Sequence, residues 1–238
     1  MQQRSGGWQV INKWLGDKEL KPFKFQEDAW KAYLQGKSGI VNAPTGFGKT
    51  FSLFLAAVIA WIDAHPKDYT SKTKNGLQLL WITPLRALAK DLGRAMESAL
   101  QELNIPWQVG IRSGDTSVSA RAAQKKQMPE VLIITPESLH LLLAQKEYPK
   151  VFTCLHTVVV DEWHELIGSK RGVQVELGLS RLKGLRRGQL KVWGISATIG
   201  NLDEALEVLL GPSHQNGIII RAKLKKNITL KSVIPHEI

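Results

Sequence analysis

The chain reads Ala43-Pro44-Thr45-Gly46-Phe47-Gly48-Lys49-Thr50 between a short apolar run and a segment of helical periodicity. Glycines at such a junction let the backbone curl so that successive N–H groups point inward, and the following helix adds the positive end of its dipole. This context predicts a phosphate-binding loop. Lys49 would then reach the β- and γ-phosphates of a nucleotide, and the Thr50 hydroxyl would bind Mg²⁺. A glycine-rich turn without a ligand is the alternative, and its position after a strand disfavours it.

Apolar runs bounded by turn residues recur along the chain, and most are near-continuous in Val, Ile and Leu, as in strands covered on both faces. The predicted strands are Ser38–Ala43, Leu77–Thr83, Val131–Thr135, His156–Val160, Leu190–Ser196 and Gly217–Arg221. The predicted helices are Lys49–Ile62, Leu85–Leu103, Val118–Gln127, Glu137–Gln145, Gly172–Arg187 and Leu202–Leu210. This alternation predicts one three-layer α/β domain with a mostly parallel sheet over residues 38–222.

The two flanks have a different pattern. Residues 1–37 are predicted to be helical, with one apolar face near Trp8 and a break at Lys21-Pro22 before a second helix around Glu27–Leu34. Residues 223–238 are polar and basic and are predicted to form a linker toward a further domain. Residues 65–76 are predicted to form a loop.

A second chemical signal follows a predicted strand, where Asp161 and Glu162 end the apolar run Val158–Val160. Ligands in parallel sheets bind at this edge of the strands. Asp161 is predicted to hold Mg²⁺, and Glu162 to orient and deprotonate the water that attacks the γ-phosphate. A favourable charge at a helix N-terminus is the structural alternative for both residues. We expect the pair to meet Lys49 at neighbouring strand ends.

A third signal is Ser196-Ala197-Thr198, which closes the strand that ends at Ser196. Small hydroxyl side chains at this position can hydrogen-bond the carboxylates and respond to their state. We therefore assign Ser196 and Thr198 to coupling, with an ordinary helix cap as the competing interpretation.

Composition favours an anionic partner inside the cell. Lys and Arg total 32 against 21 Asp and Glu, a formal net charge of +11, and nucleic acid is the first candidate partner. Cys154 is the single cysteine, which excludes an intrachain disulfide and favours a reducing, cytoplasmic location. No apolar run is long enough to span a membrane.

In this order, the three motifs resemble a superfamily 2 helicase of the DEAD/DExH type. The resemblance implies a RecA-like fold of the P-loop NTPase class, with ATP and Mg²⁺ as cofactors. It assigns adenine recognition to Phe23, Phe25 and Gln26, and a catalytic coupling role to His164 beside Asp161 and Glu162. Segments that would contact a nucleic-acid backbone contain Thr83, Pro84, Arg86, Arg112, Ser113, Gly114, Thr135, Pro136 and Glu137.

Residues 161–172, together with Pro22–Gln26, further resemble the ligase-associated branch of the Lhr helicases. That resemblance implies 3′-to-5′ translocation on single-stranded DNA, a role in DNA repair beside proteins such as a ligase or nuclease, and second RecA-like and winged-helix domains. The chain is then the first RecA-like domain, and we expect it to be nearly inactive by itself.

Three alternatives stay open on sequence. An RNA helicase motor would share every motif, a P-loop kinase would need an acceptor site that the sequence does not reveal, and a non-enzymatic binding module would not depend on Lys49. Five tryptophans are predicted to be core residues, namely Trp30, Trp61, Trp81, Trp107 and Trp193. A basic run from Arg181 to Lys191 is interpreted as a solvated helix face.

Overall fold

A seven-stranded sheet organises the chain, as a computed structural model of residues 5–186, 190–197 and 199–223 shows. Every strand pairing among the described residues is parallel. The strand order is β3-β4-β2-β5-β6-β1-β7. The strands are β1 Gly39–Asn42, β2 Leu79–Ile82, β3 Val109–Arg112, β4 Val131–Ile134, β5 Thr157–Val160, β6 Lys191–Ser196 and β7 Ile218–Arg221.

Strand composition explains the central position of three strands. Every residue of β2, β4 and β5 is buried, and these strands consist of Leu, Ile, Val, Trp and one Thr. Strands that are apolar at consecutive positions must be covered on both faces, which is the arrangement of a parallel sheet between helices. The predicted α/β class and three-layer arrangement are therefore confirmed.

Helices cover the two faces of the sheet and form two separate cores. One core packs α1 to α4 against the sheet, and the other packs α6, α8, α9 and α10 against the opposite face. The helices are α1 Gly6–Gly16, α2 Lys24–Leu34, α3 Lys49–Ala64, α4 Arg86–Glu102, α5 Val118–Lys126, α6 Pro136–Leu143, α7 Tyr148–Val151, α8 Trp163–Leu166, α9 Lys170–Arg186 and α10 Leu202–Leu210, with a 3-10 helix at Gly211–Asn216.

One strand, β3, was not predicted. Its sequence Val109-Gly110-Ile111-Arg112 contains only two large apolar residues and no continuous run. As an end strand of the described sheet it is paired on one side by β4, and three of its four residues are only partly buried. The apolar signal that identifies central strands is therefore weak here.

The N-terminal helices belong to the same core as the sheet. The N–H of Gly7 donates to Asp63 Oδ1 of α3 at 2.7 Å, and Trp8 packs edge-on against Trp30 of α2 with ring centroids 5.3 Å apart. α2 begins at Lys24, three residues before the predicted position, because the Gln26 side chain accepts a hydrogen bond from the N–H of Phe23 at the helix start. The five tryptophans predicted to be core residues are all buried.

Of the predicted linker, only Lys223 is among the described residues, since residues 224–238 lie outside them. Within the described ranges, none of the helices combines the length and the apolar character that crossing a bilayer requires.

Candidate nucleotide and nucleic-acid site

The predicted site segments all follow the carboxyl ends of strands at one edge of the sheet. The phosphate loop follows β1, the carboxylate pair follows β5, and Ser196 ends β6. Ligands in parallel sheets bind at this edge. The expectation of neighbouring strand ends was wrong, because β6 lies between β5 and β1. The segments meet across β6, because the side chains of Lys49 and Glu162 span the gap.

Glycines shape the phosphate loop. Gly46 has a φ of +92° and Gly48 a φ of +70°, in the left-handed region that a residue with a side chain rarely adopts. Gly48 is the N-cap of α3, so the chain turns directly from the loop into the helix. Thr45, Gly46 and Gly48 are exposed at this turn, and Thr50 lies half-buried in the first turn of α3. The loop therefore presents backbone to an incoming ligand at a helix N-terminus.

Lys49 is a buried cation without a hydrogen-bond partner. The residue is 7% exposed, and its Nζ has no acceptor among the described residues. The closest carboxylate oxygen recorded for it is Glu162 Oε2 at 3.8 Å, a distance beyond a normal hydrogen bond. A buried ammonium left in this state is costly unless an anion completes its coordination. The site therefore fits the phosphates of a nucleotide.

The Asp161 carboxylate is held by two donors. Oδ2 accepts from the indole N–H of Trp81 at 3.2 Å, and Oδ1 accepts from the backbone N–H of Glu162 at 3.0 Å. Burial is the main reason that the pKa of Asp161 is raised to about 6, with the Trp81 hydrogen bond acting in the opposite direction and the Glu162 charge adding to the rise. Both carboxylate oxygens and the Thr50 hydroxyl are hard ligands of the kind that Mg²⁺ prefers.

Glu162 stands in a strained backbone conformation between the side chains of Lys49 and His164. Its φ of +46° places a side-chain-bearing residue in the left-handed region, as is common at functional sites. Its Oε2 lies 3.8 Å from Lys49 Nζ and 3.5 Å from His164 Nδ1. The carboxylate therefore lies beside the lysine of the phosphate loop.

His164 connects the carboxylate pair to the end of β6. Its Nδ1 lies 3.3 Å from Ser196 Oγ, a side chain that is fully buried. The intervening Trp163 is also fully buried, and its indole N–H donates to the carbonyl of Ala205 in α10 at 3.0 Å. Trp163 thus anchors the start of α8, and with it the flanking residues Glu162 and His164. Ser196 is placed where coupling was predicted, while Thr198 lies outside the described residues.

Gln26 ties the N-terminal element to the phosphate loop. Its Nε2 donates to the carbonyl of Gly48 at 3.0 Å. Phe25 is buried and stacks on Phe23. Phe23 is 39% exposed, and its ring meets that of Phe47 edge-on, with ring centroids 5.7 Å apart. Phe23, Gln26 and Phe47 also line a cavity of about 540 Å³ beside the loop. An exposed ring beside a glutamine amide can accept a flat base, and Phe23 rather than Phe25 offers that surface.

The other half of the same sheet edge carries the predicted nucleic-acid segments. Thr83 follows β2, Thr135 follows β4, and Arg112 ends β3. The two threonines are buried and cap the chain that follows them, since Thr83 Oγ1 accepts from the N–H of Leu85 and Thr135 Oγ1 from the N–H of Ser138. Arg112 is 7% exposed, and burial, with repulsion from Arg121, lowers its pKa.

An exposed arginine marks this half of the edge. The Arg86 guanidinium lies beside the backbone of Gly114 and 3.5 Å from Asp115 Oδ1. Ser113 is buried, and its carbonyl accepts a hydrogen bond from Arg121 Nη2 at 3.0 Å. The segments after β2 and β3 are thus joined through Arg86, which keeps its charge at the surface.

Three residues of the site were not assigned from sequence. Arg171 Nε donates to Glu137 Oε1 at 2.6 Å and its Nη1 to the carbonyl of Pro84 at 3.3 Å, so it joins the segments after β2 and β4. Arg121 supports the turn after β3, and Trp81 holds Asp161. Trp81 is buried, as predicted, but its apolar surroundings in the sequence gave no signal of the hydrogen bond to Asp161.

A RecA-like sheet with a phosphate loop, a carboxylate pair and a basic second half at one edge defines the motor domain of a P-loop NTPase. The family model for DEAD/DEAH box helicases matches residues 23–205. The chain therefore belongs to the DEAD/DEAH box helicase family.

Several curated relatives are helicases of the Lhr group. An Lhr helicase of Mycolicibacterium smegmatis is 35% identical over 212 residues, which are 85% of this chain and 14% of that protein. The ATP-dependent helicase Lhr-Core of Methanocaldococcus jannaschii is 33% identical over 235 residues, 94% of this chain and 27% of that protein. The resemblance to the Lhr group is confirmed, and the chain spans about a quarter or less of these relatives.

Solved structures agree with this assignment. The Mycobacterium smegmatis helicase Lhr bound to single-stranded DNA and AMP-PNP matches with a TM-score of 0.76 and 33% identity, covering 89% of this chain and 27% of that one. A DEAD-box helicase bound to single-stranded RNA matches with a TM-score of 0.68 and 20% identity, covering 84% of this chain and 39% of that one. The second likeness concerns the fold alone.

Proposed function

We propose that the chain is the ATP-binding motor domain of a DNA helicase that acts on single-stranded DNA. The observation that carries the proposal is the buried ammonium of Lys49, which has no hydrogen-bond partner among the described residues and lies beside Glu162 at the foot of the phosphate loop. A structural turn has no need of a buried charge, whereas a triphosphate site does. ATP use is implied by the family, and the assignment of each residue to a role is our proposal.

The nucleotide would be held by groups at the carboxyl ends of β1 and β5. Lys49 and the loop N–H groups would bind the β- and γ-phosphates, and Thr50 and Asp161 would hold Mg²⁺, which would supply charge neutralisation. Glu162 orients the attacking water and accepts its proton. His164 Nδ1, 3.5 Å from Glu162 Oε2 and 3.3 Å from Ser196 Oγ, links that carboxylate to the end of β6.

Backbone contacts suit the other half of the edge. Arg86 and Arg171 supply exposed positive charge, and the starts of α4 and α6 supply backbone N–H groups. Such contacts read no base, as a translocating motor requires. The DNA assignment is supported by the relative solved with single-stranded DNA. RNA is the second candidate, supported by the shared fold of a helicase bound to single-stranded RNA.

Slow turnover is expected of the 238-residue chain by itself. Among the described residues, Glu162 Oε2 lies within 4 Å of Lys49 Nζ and His164 Nδ1, and no arginine is recorded in contact with it. Arginine fingers in related NTPases contribute about 10³–10⁵ in rate. We propose that a second RecA-like domain supplies them. Winged-helix domains, 3′-to-5′ polarity, a repair role with a ligase or nuclease, and a cytoplasmic location are proposals drawn from the family resemblance and the single cysteine.

The test measures ATP binding and turnover of the chain with single-stranded DNA, single-stranded RNA or neither. We expect nucleotide binding that Lys49→Ala abolishes, and slow turnover that Glu162→Gln lowers further. DNA should stimulate turnover more than RNA does. Binding that is unchanged in Lys49→Ala would refute the nucleotide site, and stronger stimulation by RNA would favour the second candidate. Fast DNA-stimulated turnover would refute the need for a second domain.

A further inference from the structure

Trp81 makes a polar contact that none of the sequence motifs predicts. The residue is fully buried in β2, and its indole N–H donates to Asp161 Oδ2 at 3.2 Å. Trp81 pairs with Val159 of β5, and Asp161 follows Val159 by two residues. Alternate residues of a strand share one face of the sheet, so the indole and the carboxylate lie on the same side of neighbouring strands.

The contact fixes the orientation of the carboxylate. The χ2 torsion of an aspartate has a broad distribution, so the side chain has no strong intrinsic preference for one carboxylate orientation. Here Oδ2 is held by the indole and Oδ1 by the N–H of Glu162. Each oxygen keeps further lone-pair capacity for another ligand. The two donors therefore orient the group without occupying all of its acceptor sites.

Trp193 provides an internal comparison. It pairs with the same Val159 from the other side, in β6, and it is also fully buried in the same core. In contrast to Trp81, its Nε1 has no hydrogen-bond partner within the described part of the chain. Two buried tryptophans thus flank one valine, and one of them donates to the carboxylate. Packing at this row of the sheet does not require the donor, which points to a role for it at the site.

We propose, on the basis of the proposed nucleotide function, that Trp81 is a positioning residue whose indole N–H holds the Asp161 carboxylate ready to receive the Mg²⁺ of a bound nucleotide. Groups that hydrogen-bond a metal ligand orient it, and their loss costs about 10- to 100-fold in metal affinity or activity. Trp81 is not among the groups proposed to contact the nucleotide. Its removal should therefore weaken metal binding without weakening nucleotide binding by the phosphate loop.

The test compares Trp81→Phe with Trp193→Phe in the 238-residue chain. A fluorescent, non-hydrolysable ATP analogue is titrated in EDTA and then in increasing Mg²⁺ or Mn²⁺. We expect Trp81→Phe to lower the apparent metal affinity by about tenfold and to leave the affinity for metal-free nucleotide unchanged. Trp193→Phe should change neither. On an Asp161→Asn background, Trp81→Phe should add no further loss, because the group that it positions is absent.

Equal losses in the two phenylalanine variants, or an unchanged metal affinity in Trp81→Phe, would overturn the positioning role. A wild-type chain that binds no nucleotide would instead overturn the proposed function itself. If Trp81→Phe does not fold, the wild-type protein labelled with ¹⁵N decides the question. Its Trp81 indole resonance should shift when metal is added to the nucleotide complex while that of Trp193 does not, and the absence of a shift would contradict the proposal.

Discussion

Replacing Asp161 with asparagine should change how the stability of the chain depends on pH. The Asp161 carboxylate is largely buried, and burial is the largest cause of its raised pKa. The asparagine side chain has nearly the same size and does not titrate, so a comparison of the two proteins isolates the ionisation of this group. The measurement is made without Mg²⁺ and nucleotide, because either would bind the ionised form and stabilise it.

The expected size follows from the pKa of Asp161, which is raised from 3.8 to about 6. One pKa unit corresponds to about 1.4 kcal/mol, so the difference amounts to about 2 to 3 kcal/mol. Because the folded state binds the proton more tightly than the unfolded state, the wild-type chain is favoured below about pH 4 and loses this contribution as pH rises through about 6. The stability of Asp161→Asn relative to wild type should therefore increase by about 2 to 3 kcal/mol between pH 4 and pH 7.

Urea unfolding at several pH values, followed by circular dichroism, measures this difference. Asp91→Asn, which removes an exposed carboxylate of α4, is the control for the loss of one negative charge. A difference between Asp161→Asn and wild type that stays flat from pH 4 to pH 7, or one that falls, would refute the argument that burial disfavours the ionised carboxylate.

Three further predictions concern single side chains. Gly172→Ala in α9 should lower the free energy of unfolding by about 1–3 kcal/mol, because its Cβ would lie 2.1 Å from the backbone oxygen of Leu166 in α8. Gly184→Ala, also in α9, meets nothing within 4 Å and should raise the free energy of unfolding by about 0.5–1 kcal/mol. Urea unfolding measures both changes. Lys49→Met should abolish nucleotide binding, as a titration would measure. The melting temperature should stay the same or rise, because the substitution removes a buried charge without a hydrogen-bond partner. A large loss of stability would contradict this expectation. Arg171→Ala should weaken binding of single-stranded DNA in a salt-dependent manner while changing the free energy of unfolding by less than about 1 kcal/mol. An anisotropy titration measures the binding, and Arg94→Ala, which removes an exposed arginine of α4, is the control. Equal losses of DNA affinity in the two variants would refute a specific role of Arg171 in DNA binding.

Much of the fold could be predicted because central parallel strands are continuously apolar. The runs at β2, β4 and β5 are buried at every position, and each was predicted within two residues of its ends. The β3 strand was missed because Gly110 and Arg112 interrupt its pattern. Strand order was not predictable in the same way, since the position of β6 between β5 and β1 depends on packing between distant segments.

The site was predictable where a local motif carries the chemistry. The loop at Gly46–Thr50 and the pair at Asp161 are read from consecutive residues, and the structure brings Lys49 to 3.8 Å from Glu162. Contacts between distant segments left no such signal. Arg171 reaches Glu137 and Pro84 across 34 and 87 residues of sequence, and Trp81 reaches Asp161 across 80. The Trp81 contact depends on the register of β2 and β5, and the Arg171 contacts depend on how α9 packs beside the segments after β2 and β4; sequence periodicity determines neither.

A crystal structure of the chain with Mg²⁺ and a non-hydrolysable ATP analogue would show whether Lys49, Thr50 and the two carboxylates form one nucleotide site. We expect the β- and γ-phosphates within about 3 Å of Lys49 Nζ, the metal between Thr50 and Asp161, and Glu162 facing the γ-phosphate. A nucleotide bound elsewhere, with no phosphate oxygen near Lys49 Nζ, would contradict this assignment.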